Sequence, residues 1–159
     1  MNLLGAAIFL LAILLFSTFL NWYVFQAVRT LTFALESEKT RQWIHLGYWL
    51  VFGGISIWYI WTFVRISITG EFSFSTQTML NVFLTVVVTQ LVCILFLFAE
   101  DIVRNLQAVF AYFLDTSNGF SLPSRKFWVS ILAFVISIIP FSGFIYGMAF
   151  GKHNFKVHK

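Results

Sequence analysis

Glu100, Asp101 and Arg104 are the densest group of ionisable side chains in this sequence. Glu100 and Arg104 stand four positions apart, so on a helix they share a face and can pair. At mid-membrane such a group would serve as a proton or ion relay; at a water boundary it would be an ion pair ending a span. The apolar run before it stops at Ala99, so we read Glu100, Asp101 and Arg104 as an interfacial ion pair. The histidines are His45, His153 and His158. A zinc site needs three or four converging ligands. His153 and His158 have no nearby carboxylate or thiol, and His45 lies at the opposite end of a span, so no metal site is expected in this chain. No serine has an evident histidine and carboxylate beside it to activate it, and neither GxGxxG nor GxxxxGK[ST] is present. Cys93, the single cysteine, sits in an apolar run and reads as a small packing residue. No catalytic residue is therefore expected within these residues.

The elements around these side chains are set by hydropathy. Of 159 residues, 60% are hydrophobic and only 10% charged, against roughly half and a quarter in a soluble domain. So few charges cannot cover a water-facing surface, and lipid must be the solvent. The net charge of +4 lies in short loops between apolar runs, which argues for membrane orientation rather than nucleic-acid binding. About 20 apolar residues span a bilayer, and four runs reach that length: about 3–25, 43–66, 79–99 and 127–150. The expected fold is all-α, a polytopic membrane protein of about four transmembrane helices in residues 1–151, followed by a short basic tail, 152–159.

The first and third spans carry amphipathic extensions. Beyond Phe25 the apolar pattern continues through Leu31, Phe33 and Leu35. Beyond Ala99, Ile102, Val103, Leu106, Val109, Phe110, Phe113 and Leu114 keep a three-to-four spacing, predicting a helix that lies on the membrane or packs on the first extension. Ser75 and Thr76 are candidate N-caps for the third helix, residues 115–119 carry turn chemistry, and Pro140 predicts a kink in the fourth helix. Arg65 falls near the end of the second span, where it can snorkel to water. Trp43 and Trp128 open their runs beside basic residues, as interface anchors.

The loop between spans one and two holds Arg29, Lys39 and Arg41; that between three and four holds Arg104, Arg125 and Lys126. By the positive-inside rule this side is cytoplasmic and both termini face outward, against the opposing pull of Lys152, Lys156 and Lys159. Gly143, Gly147 and Gly151 form a GxxxGxxxG stripe that would admit a close backbone approach. It reads as tight packing within the bundle, with Gly47 and Gly54 of the second span as partner, or as a homodimer seam.

One stretch carries a resemblance. Leu122-Pro123-Ser124-Arg125-Lys126-Phe127, the span through Ile139-Pro140-Phe141, Gly143-Phe144-Ile145-Tyr146-Gly147 and the final Gly151–Lys159 resemble the junction joining the N-terminal membrane region to the phosphatase domain in bacterial membrane-tethered, calcineurin-like metallophosphoesterases. The resemblance implies that Phe155–Lys159, which alternates as a strand does, opens a catalytic domain. Ser124-Arg125-Lys126-Phe127 also resembles a twin-arginine export signal, with Lys126 in place of the second Arg. In that family Asp, His and Asn ligands hold two divalent metal ions that activate a water against a phosphate ester. Its motifs D-x-H, G-D, G-N-H-[DE] and G-H-x-H are all absent here, so no ligand carries over.

The expected function is thus a membrane anchor for a metallophosphoesterase whose catalytic domain, with its two metal ions, lies outside these residues, in a bacterial inner membrane. The alternatives are a small non-enzymatic membrane partner or sensor and a transporter subunit; the latter usually has ionisable groups at mid-membrane, which this chain lacks. The expected partners are the lipid bilayer and either a second copy or another membrane protein.

Overall fold

In lipid a backbone must hydrogen-bond to itself, which leaves helices or a closed barrel as spanning structures. The structure, a computed structural model, describes residues 3–114 and 122–150. They form four helices and no strand: α1 (Leu3–Thr32), α2 (Glu38–Thr69), α3 (Phe74–Leu114) and α4 (Phe127–Phe150). All four are long and apolar enough to cross a membrane. At most 22% of any of their apolar windows is buried inside the protein, so most of this greasy surface must face lipid. The turn at 115–119, Gly151 and the tail lie outside the described residues.

The helices outrun the apolar runs. With 41 residues at about 1.5 Å each, α3 reaches about 62 Å, roughly twice the hydrocarbon thickness. Its extension is continuous with the span, and Leu106, Phe110 and Phe113 stay exposed rather than packed on the end of α1. At the start of α2, the Ser37 hydroxyl accepts from the Thr40 amide at 3.4 Å and Glu38 adds a carboxylate to the first turn. At its end Gly70 adopts φ 68°, and its N–H reaches the Ile66 carbonyl at 2.8 Å, a left-handed closure that glycine makes without steric cost. The start of α3 differs from the expected caps. Ser73 precedes the helix and its carbonyl accepts from the Gln77 amide at 3.2 Å, so Ser75 and Thr76 fall inside the first turn. The assigned helix α4 runs through Pro140.

The densest core forms where α1, α3 and α4 meet: Val24 and Ala27, Cys93 and Leu97, and Ala133. The side chains that permit close approach are small. On α4, Ser130, Ala133 and Ser137 make one buried stripe at helical spacing, the arrangement that lets membrane helices pack without a hydrophobic driving force. Among the described residues, α2 packs on α1 and α3 but makes no contact with α4, and its buried side chains are Tyr59 and Thr62.

Candidate functional site

The C-terminal part of α1, the segment entering α4 and the second half of α3 converge on Asp101. Its carboxylate accepts from the Tyr23 hydroxyl at 2.5 Å, from Arg104 Nη1 at 2.7 Å and from Arg125 Nη2. Arg104 also donates through Nε to the Pro123 carbonyl at 2.8 Å. The Arg125 side chain is only 9% exposed, and its guanidinium lies over the Tyr23 ring, 5.3 Å from the centroid. One carboxylate thus joins α1, α3 and the segment entering α4. Breaking such a part-buried, hydrogen-bonded pair by removing one member leaves a charge with less compensation.

This geometry corrects the expected pairing of Glu100 with Arg104. Glu100 is buried and points to the start of α4, where its Oε1 accepts from the Lys126 backbone amide at 2.5 Å. A helix N-terminus has free amides and a partial positive charge, which hold a carboxylate there. That leaves the neighbouring Asp101, three residues from Arg104, to meet the guanidiniums. Lys126 takes part through its backbone, and Phe127 and Trp128 open the helix above it. The export-signal-like residues therefore have a structural place: Ser124 in the approach to α4, Arg125 buried on Asp101, Lys126 on Glu100.

A second polar group lies within the spans. Asn21 is 3% exposed; its Oδ1 accepts from Tyr48 at 3.1 Å and from Gln90 Nε2 at 2.8 Å, and its Nδ2 donates to the Ser17 carbonyl at 2.9 Å. Three helices share this uncharged network, and it was not singled out from the sequence. The available signal was an amide inside each of two otherwise uncharged apolar runs, since an amide in lipid must find a partner. Nearer the basic end, Thr32 Oγ1 and His45 Nε2 lie 2.8 Å apart, fastening α1 to α2. Among the described residues no three His, Cys, Asp or Glu side chains gather as a metal ion would require.

The glycines are not where bundle packing would put them. A Cβ built at Gly47, Gly54, Gly143 or Gly147 meets nothing within 4 Å, and among the described residues α2 does not touch α4. The close seam of α4 uses Ser130, Ala133 and Ser137 instead, and Gly143 and Gly147 line an open groove of about 720 Å³ with Gln77 and Asn81 of α3.

Four membrane-length helices, with most charged side chains at one end, Arg65 near the far end of α2 and neutral polar groups such as Asn21 and Gln90 deeper inside, define a polytopic membrane domain. A family model described as a probable calcineurin-like phosphoesterase, transmembrane domain, matches residues 6–152. The chain belongs to this family. No curated protein and no solved structure matches it significantly.

Proposed function

We propose that the chain anchors a metal-dependent phosphodiester or phosphomonoester hydrolase to the membrane, with the hydrolytic domain joined beyond α4. The observation that carries this reading is the match of residues 6–152 to the transmembrane domain of probable calcineurin-like phosphoesterases. The topology supports a definite side for that domain. α4 starts at the end that holds Arg29, Arg41, Arg104 and Arg125 and finishes at the other, so a domain joined beyond it sits opposite the basic loops. With those loops cytoplasmic in a bacterial inner membrane, the hydrolase faces outward. Confinement to the membrane plane would raise its effective concentration at phosphate esters held in the same membrane. Two divalent metal ions would belong to that domain and supply the activated water.

The reading frame continuing past Lys159 tests this. It should encode D-x-H after an apolar strand, and membranes from cells expressing the whole frame should hydrolyse a chromogenic phosphate ester until a chelator is added. A frame without those ligands, or hydrolysis indifferent to chelation, would overturn the proposal.

A further inference from the structure

Beside the Asp101 cluster, α1, α3 and the segment entering α4 enclose a cleft of about 790 Å³. Among the described residues, Arg29, Arg104 and Arg125 line it, against the single carboxylate of Asp101. That carboxylate already accepts from Tyr23, Arg104 and Arg125, and Glu100 is turned away to the start of α4. Positive charge is therefore in excess. The exposed Arg29 guanidinium has no ion-pair partner among the described residues, and Arg125 Nη1 is buried without an acceptor. Phe33, Leu122 and Phe127 supply apolar walls. The depth is that of the headgroups: Asp101 follows the end of the third apolar run, and Trp43 and Trp128, exposed at the same end of the bundle, mark the interface.

From this combination we infer that the cleft binds the phosphate of an anionic phospholipid in the leaflet on the basic side. Arg29 and Arg104 would hold the phosphate, guanidinium being suited to its oxygens, and the apolar walls would take the glycerol and upper acyl carbons. A free phosphate ion shares the charge but not the need for those walls. The site lies opposite the end where α4 finishes, so it is an anchoring site and does not depend on the phosphoesterase reading.

The test is native mass spectrometry of the full chain, delipidated in detergent and titrated with dioleoylphosphatidylglycerol, dioleoylglycerol or inorganic phosphate. Phosphatidylglycerol should be retained and dioleoylglycerol released. Arg29→Ala should weaken retention about tenfold, the effect of losing one charge-assisted contact. Lys39→Ala, which removes the same charge from the same side but lines no part of the cleft, should change it less than about twofold. Arg125→Ala is unsuitable, because it also strips a partner from Asp101. Equal losses for Arg29→Ala and Lys39→Ala would show diffuse attraction and overturn the proposal. So would retention of dioleoylglycerol, and displacement of the lipid by equimolar inorganic phosphate would reassign the cleft to a free ion.

Discussion

At the basic end of the bundle, Asp101 alone gathers Tyr23, Arg104 and Arg125 from three parts of the chain. At the opposite end, α3 and α4 flank a groove in which a Cβ built at Gly143 or Gly147 would meet nothing within 4 Å. The contrast teaches where this domain stores its specificity. Lipid competes on equal terms with apolar side chains for helix surfaces, so greasy contact alone fixes no arrangement. Polar groups that have no partner in lipid do fix one, because separating the helices would leave them bare. The basic end is fixed in this way; the other end retains a surface that the fold itself does not use.

Asp101→Ala should break this contrast most severely. It leaves two guanidiniums and the Tyr23 hydroxyl without their shared acceptor, and should cost about 2–3 kcal/mol, the range for a part-buried charged hydrogen-bond acceptor, read as a lowered midpoint in a denaturing-detergent titration. A variant as stable as the parent would mean that water already serves these groups. Next comes Asn21→Leu, which removes the acceptor of Gln90 and one of the two Asn21 acceptors of Tyr48, the Asn21 carbonyl remaining, and should cost about 1 kcal/mol by the same measurement.

These two predictions also show what the sequence could and could not disclose. The four spans were legible because run length is a local property that lipid thickness fixes directly. The extension of α3 was legible from its three-to-four spacing. The partner of Arg104 was not, since Glu100 and Asp101 both lie within its reach on the helix. The choice was made by the start of α4, which takes Glu100, and by Arg125, which arrives 24 residues downstream. The glycine stripe misled for a related reason. α4 carries two small-residue faces, and nothing local tells that Ser130, Ala133 and Ser137 are buried within the bundle while Gly143 and Gly147 line an open groove. The Asn21 network needs residues from three helices at once, so no single window could display it.

Smaller effects sharpen the comparison. Glu100→Ala removes the carboxylate that caps α4 and should cost about 1 kcal/mol, visible in the same titration and as faster amide exchange at Lys126. Gly147→Ala, at the open end, should change stability by less than about 0.5 kcal/mol. A loss well above that figure would show the groove to be filled by a second copy, which would also appear as a concentration-dependent mass on a calibrated sizing column.

Vectorial thiol labelling of intact cells, on a Cys93→Ala background, tests the membrane arrangement itself. Cysteines placed at Lys39 and Lys126 should stay protected from an impermeant reagent until the cells are opened, whereas one at Glu71 should react at once and those at Ile57 and Val87 should not react at all. Reaction of Glu71 and Lys39 from the same side, or ready modification of Val87, would contradict four lipid-embedded crossings with their basic loops inside.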